Sequence, residues 1–152
     1  MRRIFPLPIL ALMLGACASS GAAETLTMDE GRDDGLADLT IEMSVEILEG
    51  DVRVILFKGA DAYNGGKPLA QGVKPAAAML TFSVEGIEPG EYGIKAFHDV
   101  NGNGELDTNV LGIPNEPFAF SNNAPANFGP AKWEDAAFTV SAPATLHKME
   151  IK

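Results

Sequence analysis

The apolar residues of this chain fall at every second position in one stretch after another, and that spacing is what most restricts its fold. Ile41, Met43, Val45 and Ile47 alternate with Thr40, Glu42, Ser44 and Glu46. A period of two sends successive side chains to opposite faces, so the segment reads as a half-buried strand with one wet face. Leu80, Phe82 and Val84 repeat the pattern, and Tyr92, Ile94, Ala96 and His98 line one face of a further strand. Val52 to Phe57 is almost continuously apolar, as a strand in the middle of a sheet is. Ala136, Phe138 and Val140, then Leu146 to Ile151, supply the last strands. Glu49-Gly50-Asp51, Asn64-Gly65-Gly66-Lys67-Pro68 and Glu88-Pro89-Gly90 punctuate them as turns. Leu69 to Pro75 carries little order of its own, and Ala76-Ala77-Ala78 runs at once into strand alternation rather than helix. The expectation is an all-β domain, an antiparallel β-sandwich of about seven strands with immunoglobulin-like layering.

The first residues are set apart from that pattern. Met1-Arg2-Arg3 is basic, and Ile4 to Leu14 is apolar but too short for a permanent membrane span, which fits an export signal over residues 1–16. Leu14-Gly15-Ala16-Cys17 resembles the lipobox of bacterial lipoproteins, in which the cysteine thiol takes a lipid and becomes the new N-terminus. Cys17 is the chain's single cysteine, so no disulfide is available to hold the fold in an oxidising compartment. Ala18 behind it resembles the outer-membrane sorting pattern. Ordinary secretory cleavage after Ala23 is the alternative, giving a soluble periplasmic or secreted protein. Residues 17–38 are small, polar and acidic, and read as a flexible tether. The domain proper is expected from Leu39 to Lys152. Removal of Arg2 and Arg3 deepens a formal net charge that is already −10. That balance argues against nucleic acid, which wants Lys/Arg clusters, and suits cations.

The string Asp99-Val100-Asn101-Gly102-Asn103-Gly104-Glu105-Leu106-Asp107 carries the clearest chemistry. Oxygen-bearing side chains recur at alternate positions, with Gly104 where a calcium loop turns sharply. Asp99, Asn101, Asn103 and Asp107 are the expected side-chain ligands, with Glu105 offering its backbone carbonyl. Water, Asn109 or Glu116 would complete the shell. The incoming element is a strand, and Val110 stands where an EF-hand has its bidentate Glu, so this is not an EF-hand. The missing carboxylate implies weak Ca2+ binding with a structural role. A plain Asn-Gly hairpin is the competing reading.

Beyond the loop, several strings are distinctive. They are Ala96-Phe97-His98-Asp99, the run from Asn101 to Asn109, Gly112-Ile113-Pro114 with Glu116, Phe120-Ser121-Asn122-Asn123-Ala124, and Phe128-Gly129-Pro130 leading to Glu134–Phe138. Together they resemble a family of small exported bacterial proteins known as domain of unknown function number 2141. The resemblance implies an exported β-sandwich of transthyretin-like type and no established activity, so no catalytic residue is carried over.

The remaining candidates are read from the residues. His98 and Asp99 are neighbours, but strand neighbours point to opposite faces, so His98 is expected as a core histidine. His147 has no visible partner. Ser121 lacks a nucleophile elbow, and no Gly-rich loop opens a helix. The chain is therefore expected not to be an enzyme; the rival is a periplasmic hydrolase or carbohydrate-active protein using His98, Asp99 and Glu116. The long segment after Glu116 carries Phe118, Phe120, Asn122, Asn123, Phe128 and Trp133. It is a candidate platform for a peptide, glycan or protein partner, unless its rings simply pin the loop to the sandwich. The functional expectation is a lipid-anchored outer-membrane binding or structural module stabilised by the calcium-type loop.

Overall fold

Each alternating strand has one apolar face to bury, and two sheets that face each other satisfy all of them at once. The computed structural model describes residues 35–152. Among these, eight strands form: β1 (Ala37–Val45), β2 (Asp51–Lys58), β3 (Ala70–Pro75), β4 (Met79–Ile87), β5 (Gly90–Asp99), β6 (Phe118–Phe120), β7 (Phe138–Val140) and β8 (Ala144–Ile151). Two one-turn helices, α1 (Gly59–Tyr63) and α2 (Trp133–Ala136), and a 3-10 turn at Ser121–Asn123 lie between them. One sheet has the order β4-β1-β8; the other runs β3-β2-β5-β6, with β7 also on β5. The fold is an all-β sandwich, as the alternation requires.

The core between the sheets is built from the predicted inward positions. Leu39, Ile41, Met43 and Val45 of β1 meet Val52, Val54 and Leu56 of β2 and Tyr92, Ile94 and Ala96 of β5, all buried. The sheets depart from the sequence expectation in four places. Leu69–Pro75 is not disordered but contributes edge strand β3, whose side chains are mostly exposed and so carry no alternating apolar signal. Ala136 ends α2 rather than beginning β7. The first strand starts at Ala37, so Ala37 and Asp38 of the expected tether belong to the sheet, while Ile47 lies past its end, 42% exposed. Finally, β8 pairs with β1 in parallel, from Asp38↔Ala144 to Val45↔Ile151, while all other strand pairs are antiparallel. The chain reaches β8 from β7 in the opposite sheet, so no hairpin dictates an antiparallel return. The export signal, Cys17 and the tether up to residue 34 lie outside the described residues.

The outer face of the larger sheet is covered too. Phe57, Tyr63, Phe120, Ala124, Ala131 and Ala136 form a second buried cluster, with Trp133 and Phe118 packed against it. Tyr63 meets Phe57 edge-on at 5.8 Å and Trp133 at 5.6 Å between ring centroids. Lys95 crosses this cluster, its ammonium donating to the Tyr63 carbonyl (2.6 Å) and lying 4.4 Å from the Tyr63 ring centroid. Burial pushes the Lys95 pKa down. The sheet makes room with Gly93, where a Cβ would stand 2.7 Å from the Tyr63 ring and 3.0 Å from that of Trp133. Gly93→Ala is therefore expected to overpack the second cluster and cost about 1–3 kcal/mol. Urea denaturation midpoints of the two proteins measure it.

Candidate functional site

The pleat of β5 decides what its last two residues can do. His98 points inward with Tyr92, Ile94 and Ala96, and is 1% exposed. Its Nε2–H donates to the Glu49 carbonyl at 2.5 Å, leaving Nδ1 buried without a hydrogen-bond partner among the described residues. Asp99 points to the other face. Glu116, the third member of the hydrolase reading, is engaged elsewhere: its carboxylate accepts the backbone N–H of Val100 (2.9 Å) and of Asp107 (3.1 Å). His98 and Asp99 face opposite sides of β5.

Asp99 is the anchor of the loop. Fully buried, it accepts the N–H of Asn103 at Oδ1 (3.0 Å), the N–H of Gly104 at Oδ2 (2.7 Å) and Arg53 Nε at Oδ2 (3.3 Å). Burial alone would raise its pKa, but the N–H groups of Gly104, Asn103 and Gly102 together with the Arg53 guanidinium outweigh that and hold it below the usual carboxylate value. Arg53 escaped sequence reasoning because it lies 46 residues away. The signal that exposes it is its outward position in β2, between inward Val52 and Val54. Gly50, at φ +76°, lets the β1–β2 turn approach the same corner; a Cβ there would lie 2.2 Å from the Asp99 carbonyl oxygen.

Around Asp99 the loop folds on its own side chains. Asn101 Oδ1 accepts the N–H of Asn103 (3.0 Å), and Asn103 Oδ1 accepts that of Glu105 (2.8 Å). The amide NH2 groups of Asn101 and Asn103 both donate to the Asp107 carboxylate, that of Asn103 at 3.0 and 3.1 Å. Asp99, Asn101, Asn103 and Asp107 are thus linked in one hydrogen-bonded set, with the Glu105 side chain exposed at its rim. Glu116 closes the loop by holding its two ends through Val100 and Asp107. Asn109 serves a separate turn, where its Oδ1 accepts the N–H groups of Leu111 (2.9 Å) and Ile113 (3.1 Å). Among the described residues, no three or more His, Cys, Asp or Glu side chains are grouped as metal ligands. The donor set is instead two carboxylates and two amides. Hard oxygen donors suit Ca2+, but Asp99 Oδ2 and Asp107 Oδ2 each already accept two hydrogen bonds, so an ion there would have to displace some of them. The two Asn amides must rotate to turn their oxygens toward an ion.

The aromatic segment is used largely within the protein. Phe120 is buried, and Phe118 and Trp133 are half-buried against the second cluster, whereas Phe128 stands fully exposed. Asn122 and Asn123 adopt positive φ (60° and 50°), which Asn tolerates. The Asn122 amide donates to the Asp135 and Ala137 carbonyls at 3.0 and 2.8 Å, and Asn123 Oδ1 accepts the N–H of Glu150 at 2.9 Å. Ser121, fully buried, accepts the N–H of Ile94 at 2.9 Å and donates to the Ala136 carbonyl. His147 stacks on Phe138 at 4.0 Å between ring centroids, and its Nε2 accepts the N–H of Asn122 at 3.3 Å. Burial pushes its pKa down, in keeping with a neutral, accepting ring.

The depressed pKa of Asp99 has a defined consequence for stability. A carboxyl held below its unfolded value stabilises the fold above pH 3.8 and loses that contribution as pH falls through the folded value. Asp99→Asn should therefore be less stable than the parent at neutral pH, with the gap narrowing in acid. Denaturation midpoints compared above and below pH 3.8 check this; a gap independent of pH refutes it.

No curated protein and no solved structure matches the chain. A family model does match, over residues 43–147, which is more than half of the chain and includes the loop, Glu116 and the aromatic segment. The chain belongs to the family described as uncharacterized protein conserved in bacteria (DUF2141).

Proposed function

We propose that this protein is an exported, lipid-anchored binding or structural module whose sandwich is braced by a divalent cation, calcium above all. The observation that carries the reading is the convergence of Asp99, Asn101, Asn103 and Asp107 at the end of a sheet-centre strand. With a cation bound, Asp99, Asn101, Asn103 and Asp107 would supply the side-chain oxygens, the two Asn amides giving up their present hydrogen bonds to do so. The Glu105 carbonyl and water complete the shell, and Glu116 keeps the loop ends in register. The acidic chain, at −10, suits a cation and disfavours nucleic acid.

An ion held by two carboxylates has an affinity on the order of 10⁻⁴–10⁻³ M, as in other extracellular modules. It then stabilises the fold by about 1.4 kcal/mol for each tenfold excess of free Ca2+ over its dissociation constant. Each kcal/mol raises Tm by about 4 °C for a domain of this size. Calorimetric melting with and without millimolar Ca2+ should show the rise, and Asp99→Ala combined with Asp107→Ala should abolish it. A melting curve indifferent to Ca2+ and to chelator would sink the cation reading.

Lipidation at Cys17 is the second part of the proposal. It rests on Leu14-Gly15-Ala16-Cys17 following an apolar run, with Ala18 directing the protein to the outer membrane. The module would then hold a peptide, glycan or protein partner close to that membrane. No helix among the described residues is long and apolar enough to cross one. Cys17→Ser should move the protein from the membrane fraction to the soluble fraction; unchanged fractionation would overturn the anchor.

A further inference from the structure

β6 and β8 end their sheets on the same side of the sandwich, and the 3-10 turn at Ser121–Asn123 lies between them. The turn is tied down on both sides. The Asn122 amide donates to the Asp135 and Ala137 carbonyls, and Asn123 Oδ1 accepts the N–H of Glu150 on β8. The backbone N–H of Asn122 goes to His147 Nε2, at 3.3 Å. A backbone N–H can only donate, so Nε2 carries a free lone pair and the closed turn requires a neutral imidazole.

Protonation would set an imidazolium N–H against the N–H of Asn122, in surroundings that offer the charge no partner. His147 is buried, stacked on Phe138 at 4.0 Å and paired in register with Ile41 of β1. The turn, β6 and β7 carry no charged side chain. On β8 itself, Lys148 pairs with Glu42 and Glu150 with Lys152, at positions that alternate with His147 and are exposed. Glu134 and Asp135 of α2 are exposed, and among the described residues no carboxylate pairs with the ring.

We infer that His147 is an acid-sensitive latch: the neutral ring holds the Ser121–Asn123 turn closed on β8, and proton uptake opens that side of the sandwich while both sheets stay folded. Once open, the ring takes up its proton near the ordinary value of 6.5, whereas burial holds the closed ring below it. The closed turn is therefore at its most stable above pH 6.5, and loses about a factor of ten per pH unit below that, down to the closed-state value. Opening frees the Glu150 N–H on the outer edge of β8. The latch uses no residue of the cation loop and does not depend on calcium.

The test is NMR on the purified protein, combining an imidazole titration with amide hydrogen exchange between about pH 7 and about pH 5, above the carboxylate range. The protection of the Asn122 and Glu150 amides, corrected for intrinsic exchange, should fall about tenfold per pH unit, in step with His147. It should also stay below that of Met43 and Val54, which lie on strands paired on both sides and report unfolding of the sheets. His147→Gln, whose amide oxygen accepts without titrating, should keep the protection and lose its pH dependence. A His147 ring that titrates at 6.5 or above would overturn the latch, as would a fall that follows His98 instead. So would equal protection at all four amides, or an acid loss that persists in His147→Gln. Should His147→Gln fail to fold, the titration and exchange of the parent protein decide alone.

Discussion

The pleat of one central strand organises this molecule. Along β5, Tyr92, Ile94, Ala96 and His98 go to the core between the sheets, while Gly93, Lys95, Phe97 and Asp99 go outward. The inward set joins the sandwich. The outward set is the floor for a second aromatic cluster at one end and the root of the oxygen-rich loop at the other. Because the side-chain period is two, a one-residue slip would put Asp99 in the core and Tyr92 on the outside. Eight paired residues with β2, from Asp51↔Asp99 to Lys58↔Tyr92, hold the register.

A buried carboxylate is costly unless its neighbours favour the charge. Here the loop supplies the N–H groups and β2 supplies the guanidinium, so Asp99 and the loop conformation stabilise each other. Glu116 acts similarly from the far side. Its two oxygens hold Val100 and Asp107, at opposite ends of the loop, and it is itself buried. The acidic residues of this corner thus fall into two kinds. Asp99 and Glu116 organise backbone, while Asp107 accepts hydrogen bonds from the two Asn amides.

Much of this was legible in the residues because it depends on local spacing. The alternation in β1, β4 and β5 reports directly which side chains are inward, and the opposed directions of His98 and Asp99 follow from adjacency alone. The oxygen-bearing residues of the loop also lie close in sequence, so their gathering was visible. What escaped notice depends on distant parts of the chain. Arg53 reaches Asp99 from a different strand, and the parallel match of β8 with β1 leaves no mark in either segment. β3 was missed because a largely exposed edge strand needs no alternating apolar residues. The roles of Asn122 and Asn123 were hidden for a related reason: an amide that ties a turn to a neighbouring strand looks, in sequence, like any loop residue offered to a partner.

The parallel pairing of β8 places β1 in the middle of its sheet, flanked by β4 and β8. The chain ahead of Ala37 therefore leaves the domain from a central strand rather than from an edge. Tension applied along that leader acts lengthwise on β1, loading two ladders of hydrogen bonds in shear instead of unzipping one bond by bond. Were the domain held from that end, both ladders of β1 would have to shear together before it gave way.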